Sequence, residues 1–228
     1  MLVIIIPAFN EATQIGRVIS GLFEIEDRLK QINDGFKLIV IDDGSSDRTA
    51  EIARALRVVV LRHEVNRGQG AALETGNEYA RRHGADVVVH FDADGQHNPT
   101  DITSAVERLR NEKLDVILGS RFLDSRSKIP WFKRYIILPA SCWINFVFTG
   151  VKLSDAHNGF RVLNRKALEQ ITISHDGMAH NSEIVQQIKA RQLRFVEHPV
   201  QVNYHRYGQG ISSGFKILSD FLFGQFVK

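Results

Sequence analysis

Asp92, Asp94 and Gln96 occupy alternate positions in the run Asp-Ala-Asp-Gly-Gln, directly after the apolar stretch Val87–Phe91. If the chain stays extended past Phe91, three oxygen-bearing side chains project to one side. Such a set suits a hard cation, Mg²⁺ or Mn²⁺. Ala93 and Gly95 between them leave room for a bulky ligand. The same residue types also build solvated turns at strand ends, so the run alone supports either use. The β-branched segment ahead of it reads as a buried parallel strand. Open α/β sheets place their ligand sites at the carboxyl ends of such strands.

Two further polar clusters follow apolar runs in the same way. Pro7–Glu11 closes Leu2–Ile6, and Asp42–Asp47 closes Phe36–Ile41. Together the three clusters place several carboxylates along one edge of one sheet. They repel one another, and they would repel a phosphate unless a cation stood between. A metal bridging carboxylates and a diphosphate resolves both problems. Asp42 can instead accept hydrogen bonds from a ribose or a base, and Asp47 is placed to cap a helix.

Arg121 directly follows a strand, so the sheet fixes its base. Its planar, permanently charged fork matches phosphate oxygens. Arg126 and Lys128 read as surface charge. Histidines 90, 97, 157, 175, 180, 198 and 205 read as polar or partly buried residues, since no two stand at metal-ligand spacing.

The elements that must hold these groups alternate. Strands are expected at Leu2–Ile6, Phe36–Ile41, Val58–Leu61, Val87–Phe91 and Val116–Gly119. Helices are expected from Glu11 with Asn10 as N-cap, from Asp47 or Ser46 to Leu56, over Ala71–His83, and over Asp101–Asn111. This alternation predicts a parallel sheet covered on both faces by helices. After Gly119 the rhythm changes. Ser120–Trp131 is basic and irregular, and helix resumes near Lys133. Asp155–Leu163 reads as loop then strand, and Ser182–Arg191 as helix. Arg194–Tyr204 reads as a strand pair broken at Pro199, and Gly214–Lys228 as a closing helix.

The chain has 228 residues, enough for a full α/β core, and a formal net charge of only +3, which argues against nucleic acid as the main partner. One cysteine, Cys142, excludes a disulfide framework and fits a cytosolic setting. Met1 runs straight into Leu2–Ile6 without a basic leader, and no stretch reaches the apolar length of a spanning helix. One domain over 1–228 is expected, with a nucleotide-type sheet in 1–120 and a second pocket shaped by 121–228. Two stretches are greasy. Tyr135–Val151 carries Trp143, Phe146 and Phe148. In the tail, Phe215, Leu218, Leu222 and Phe226 fall on one helical face. Each is either a core helix or an aromatic amphipathic helix lying on a bilayer.

Five motifs in order carry a resemblance. They are Ile-Pro-Ala-Phe-Asn-Glu ending at Glu11, Val-Ile-Asp-Asp-Gly-Ser-Ser-Asp at 40–47, Asp-Ala-Asp-Gly-Gln at 92–96, Gly-Ser-Arg at 119–121 and Asn-Gly-Phe-Arg at 158–161. The series resembles the family 2 glycosyltransferases of the dolichyl-phosphate mannose synthase type, over nearly the whole chain. The resemblance implies a GT-A fold and inverting transfer of a hexose from a nucleotide-sugar, GDP- or UDP-linked. It also implies a divalent metal and a polyprenyl-phosphate acceptor, dolichyl or undecaprenyl.

Position by position, it implies that Pro7, Ala8, Asn10 and Glu11 line the nucleotide, with Asp42 on its base or ribose. Asp92 approaches ribose, metal or diphosphate, while Asp94 and Gln96 hold the metal. Arg121 and Arg134 grip the acceptor phosphate, and Asp155 and Arg161 belong to the acceptor or sugar pocket. Where relatives have a Gly-x-Ser-Lys, this chain has Gly210-Ile211-Ser212-Ser213, and Arg206 is the substitute candidate. Gln69 stands in the glycine-rich loop where a basic residue is common.

A phosphomonoester has its second pKa at about 6, so such an acceptor needs no general base. If the acceptor were a sugar hydroxyl, Asp155 or Glu183 would supply one. The rival readings are transfer to a polysaccharide or small soluble acceptor, and a non-catalytic sugar-nucleotide-binding subunit of a membrane complex. The expected location is the cytoplasmic face of a membrane, held peripherally or by a membrane-protein partner.

Overall fold

The apolar runs become strands because β-branched residues pack well on a pleated surface buried on both sides. A computed structural model describes residues 1–127, 135, 138–156 and 158–203. The strands are β1 Leu2–Ala8, β2 Phe36–Asp42, β3 Val59–Arg62, β4 Val87–His90, β5 Val116–Ser120, β6 Arg161–Asn164 and β7 Phe195–Pro199. They form one seven-stranded sheet in the order β3-β2-β1-β4-β6-β5-β7. The helices are α1 Ile15–Phe23, α2 Glu26–Ile32, α3 Thr49–Ala55, α4 Gln69–Arg82, α5 Thr100–Asn111, α6 Leu138–Thr149, α7 Arg165–Gln170 and α8 His180–Ala190.

Side chains of β1 alternate between two cores. Leu2, Ile4 and Ile6 join Ile15, Ile19, Leu22 and Val106 on one face, while Val3 and Ile5 join Leu73, Ile184 and Ile188 on the other. Each such aliphatic contributes roughly 1.5–3 kcal/mol by leaving water.

The sheet is mostly parallel, but β6 runs antiparallel between β4 and β5. Simple alternation does not foresee this, because α6 and the 150–160 segment bring the chain back to the carboxyl edge before β6 begins. The reversal sets Arg161 opposite both His90 and Leu118. The Asn-Gly-Phe-Arg segment therefore enters the sheet at the edge where β1, β2, β4 and β5 end.

Other expectations change in detail. Helix α1 starts at Ile15, not Glu11. Asn10 is not its N-cap: it takes a left-handed φ of 56°, and its side-chain oxygen accepts from Ser46 N at 2.9 Å. Asp47 accepts Thr49 N at the start of α3 at 2.9 Å, a capping contact from one residue outside the N-cap. Helix α7 was not foreseen, although Asn164 caps it by accepting Ala167 N at 2.8 Å. Past Pro199 no second strand follows in the described residues, only one antiparallel bridge from Val202 to His97. Arg134, Arg206, His157, His205, the Gly210–Ser213 stretch and the expected tail helix lie outside the described residues. No helix among the described residues is long and apolar enough to cross a membrane.

Candidate functional site

Strand β4 ends at His90, and the chain does not stay extended beyond it. Asp94 and Gly95 form a turn in which Gly95 takes φ 71° and Asp94 accepts Gln96 N at 2.9 Å. Asp92, Asp94 and Gln96 therefore do not share the face of one strand, because a short carboxylate bonding its own backbone two residues on closes a turn. Asp94 and Gln96 remain half-exposed at the edge.

Asp92 is held from several sides. Its Oδ1 accepts Gln69 Nε2 at 2.9 Å, and its Oδ2 lies 3.4 Å from His97 Nε2. His97 is itself buried beside the rings of Phe91 and Phe160. Burial by itself would raise the Asp92 carboxyl. The His97 contact and the charges of Arg161 and His180 outweigh it and hold the group below the usual carboxylate range.

Arg161 is buried and donates to Asn181 Oδ1. Burial lowers its pKa to about 10, against the opposing pull of Asp92 and Asp155. Burial, then the Arg161 charge, pushes His180 down to about 4, and both push His90 well below its ordinary value.

On the nucleotide side, Pro7 and Ala8 end β1, and Ala8 O accepts Asp43 N at 2.8 Å. Backbone N–H groups of Asn10, Glu11 and Ala12 donate to Ser45, Thr49 and Asp47, which ties the first motif to the second. Glu11 is raised to about 6, first by burial and then by Asp94, Asp47 and Asp92. Asp42 is fully buried. Its Oδ1 accepts Ser45 N at 3.2 Å, and its Oδ2 lies 3.0 Å from Arg62 Nε, an ion pair without hydrogen-bond alignment.

Asp43 carries no signal in the sequence separate from its neighbour Asp42, because its partners lie 20 to 25 positions away. It accepts Gly68 N at 2.7 Å and Arg67 N at 3.0 Å, and it pairs with His63 Nδ1 at 2.7 Å, so it organises the glycine-rich loop.

On the other side, Arg121 donates through Nε to Asp155 Oδ2 at 2.6 Å and through its backbone N at 3.1 Å. Asn158 Nδ2 reaches the same oxygen at 3.3 Å. Arg126 is more than surface charge: it clamps Asp101 at 2.6 Å, Asp124 at 2.6 Å and Pro199 O at 3.0 Å, tying α5 to the end of β7. Glu183 spends its carboxylate on Ser174 N and His175 N. A surface cavity of about 400 Å³ lined by Leu61, Tyr79, His83 and Ile173 contains none of the Asp92–Gln96 residues, and the chemistry stays with the strand-end acids.

The edge fits a divalent cation by its donor chemistry. Asp94 and Gln96 offer hard oxygens, and Glu11, raised first by burial and then by the charges of Asp94, Asp47 and Asp92, stands beside them. Among the described residues no three His, Cys, Asp or Glu form a closed cage.

Residues 3–172 match the family described as Glycosyl transferase family 2. An uncharacterized protein of Methanocaldococcus jannaschii is 33% identical over 94% of this chain and 88% of its own length. A UDP-N-acetylglucosamine–dolichyl-phosphate N-acetylglucosaminyltransferase of Methanococcus voltae is 30% identical over 95% of this chain and 93% of its own. Glucosyl-3-phosphoglycerate synthase from Mycobacterium tuberculosis, solved with Mn²⁺, UDP and phosphoglyceric acid, matches with a TM-score of 0.70 at 18% identity. That match covers 97% of this chain and 77% of that one. This likeness bears out the expected GT-A fold.

Proposed function

The chain belongs to glycosyl transferase family 2, and from that premise we propose inverting transfer of a hexose from a nucleotide-sugar to a polyprenyl phosphate at a membrane surface. The observation that carries this reading is the meeting of two unlike clusters on one sheet edge. The acid loop Asp92–Gln96 follows β4, and the Arg121–Asp155 pair follows β5, with Arg161 of β6 between them. The dolichyl-phosphate acceptor in the name of the Methanococcus voltae relative supports the lipid acceptor. The Mn²⁺ and UDP of the solved neighbour support a metal and a nucleotide on the acid side.

Pro7, Ala8, Asn10, Glu11 and Asp42 face the nucleoside, and Asp92 stands at the ribose or diphosphate. Asp94 and Gln96 would hold Mg²⁺ or Mn²⁺. A cation there supplies charge neutralisation for the departing nucleoside diphosphate. Arg121 orients the acceptor phosphate through its guanidinium, with Arg134 and Arg206 as further candidates. An acceptor oxygen forms the new bond to the anomeric carbon as the bond to the diphosphate breaks, and in-line geometry inverts the centre. The phosphate is already ionised near neutrality, so positioning rather than proton removal drives the step.

The membrane surface is read from α6. Among its described side chains Asn145 and Thr149 are buried, while Trp143, Phe146, Val147 and Phe148 are exposed, Trp143 at 67%. An aromatic face of this kind suits the headgroup boundary of a cytoplasmic leaflet.

Incubation with radiolabelled nucleotide-sugars and polyprenyl phosphate, followed by lipid extraction, tests the reading. Label in the organic phase is expected. Label confined to a water-soluble product would favour the soluble-acceptor rival. Donor binding without any turnover would favour a non-catalytic subunit.

A further inference from the structure

Glu197 sits in the middle of β7, the outermost strand beside β5. It is only partly exposed and makes no ion pair among the described residues. Its carboxylate instead takes the donors of one turn. Oε1 accepts Ser154 Oγ at 2.7 Å, Ser154 N at 2.9 Å and Asp155 N at 3.2 Å, and Oε2 accepts Ser154 N at 3.0 Å. Ser154 Oγ also meets Ser120 Oγ at 2.6 Å, so the turn is tied to the residue before Arg121. From α6, Cys142 Sγ reaches Ser154 O at 3.4 Å. The next residue, Asp155, is buried and carries both the Nε and the backbone N of Arg121 on one oxygen.

We propose that Glu197 is a positioning residue for the acceptor side: by holding the Ser154–Asp155 turn it fixes the carboxylate that aims Arg121. The assignment rests on the reading of Arg121 as an acceptor-phosphate contact. A carboxylate drawn into a turn of backbone donors gains short, charge-assisted bonds and freezes that turn against a rigid strand. Without it, Asp155 N and Ser154 N lose their acceptor, and Asp155 is free to shift with Arg121. One oxygen at the Oε1 position serves all three donors, so Glu197→Gln keeps most of the contacts, whereas Glu197→Ala removes every one.

The test is steady-state kinetics with a short prenyl phosphate as acceptor, together with calorimetric binding of UDP- and GDP-sugars. Glu197→Ala is expected to raise the acceptor KM roughly 10-fold, more than it lowers kcat, with donor affinity unchanged. Glu197→Gln should recover most of the loss. In an Arg121→Ala background, Glu197→Ala should add nothing further to KM, since both act through one contact. A merely structural role would move donor affinity and thermal stability and would add in the double variant; that result overturns the proposal. If Glu197→Ala does not fold, Ser154→Ala removes one of the same bonds and should raise the acceptor KM about 3-fold; no change there also overturns it. If Arg121→Ala itself leaves the acceptor KM alone, the acceptor reading of Arg121 falls and the proposal with it. If only the Glu197 and Ser154 variants are silent, the inference alone falls.

Discussion

Gly159 lies so close to Asp92 that a Cβ built on it would overlap the carboxylate itself. The contact joins the Asn-Gly-Phe-Arg segment at the start of β6 to the acid loop after β4. It exists because antiparallel β6 brings Arg161 level with His90. Gly159→Ala should therefore displace Asp92 from Gln69 and His97 while leaving both cores intact. We expect kcat/KM to fall on the order of 100-fold, as small misplacements at a reacting centre do. Melting temperature and far-UV circular dichroism should change little. Full activity in this variant would mean that Asp92 is not held in place for catalysis.

The metal assignment is tested at Asp94. Asp94→Ala should abolish transfer without unfolding the protein, because the side chain stands at the sheet edge outside the core. EDTA should silence the wild type, and Mg²⁺ or Mn²⁺ should restore it. Glu11 offers a readout independent of activity. Its carboxyl is raised to about 6 by burial and by Asp94, Asp47 and Asp92, and a cation beside Asp94 should lower it. An NMR titration in the presence of UDP that is identical with and without Mg²⁺ would place the ion elsewhere.

Arg121 should matter to one substrate only. Arg121→Ala removes charge-assisted bonds worth roughly 1.5–3 kcal/mol, about 10- to 150-fold in acceptor KM. Calorimetric affinity for the nucleotide-sugar should stay within about 2-fold of wild type, since the lost bonds do not touch the donor. Parallel loss of donor affinity would put Arg121 at the wrong end of the site.

Helix α6 should carry attachment to lipid. Trp143→Ser with Phe146→Ser exchanges exposed side chains, so the fold should hold. Sedimentation with anionic vesicles should show binding by the wild type and release of the variant, while turnover of a short, soluble prenyl phosphate persists. Vesicle binding that survives the exchange would move the membrane surface away from α6.

Acid should unfold the protein partly through His180. Burial beside Arg161 holds its folded-state pKa at about 4, against 6.5 for the free side chain. As pH falls, the unfolded chain takes the proton first. The stability that neutral His180 contributes is present above about pH 6.5 and is lost as pH drops toward about 4, in total about 3 kcal/mol. Urea unfolding at a series of pH values should show this slope, steepened in the same direction by His90. His180→Gln should flatten it. An unchanged slope would mean that other groups govern acid sensitivity.

How much was readable beforehand depended on how local each cause was. Val87–His90 and Leu2–Ala8 form strands where short β-branched runs said they would, and Asp42 and Asp92 fall at or just past strand ends. The start of α1 differs from expectation because Asn10 looks like a cap in one dimension. Its oxygen is taken by Ser46, 36 residues away.

By itself the sequence determined that β1, β2, β4 and β5 end in polar residues on one edge, because buried β-branched runs must stop where the chain turns polar. It also determined the family, through motifs each contained in a few neighbouring residues. The tertiary structure alone decided which of those residues meet. Gly159 meets Asp92, Asp155 receives Arg121 across 34 positions, and Glu197 holds Ser154 across 43. Those contacts follow from the reversed insertion of β6 between β4 and β5 and from β7 pairing with β5. Strand order is set by how distant apolar faces share two cores, and no local pattern of residues encodes it.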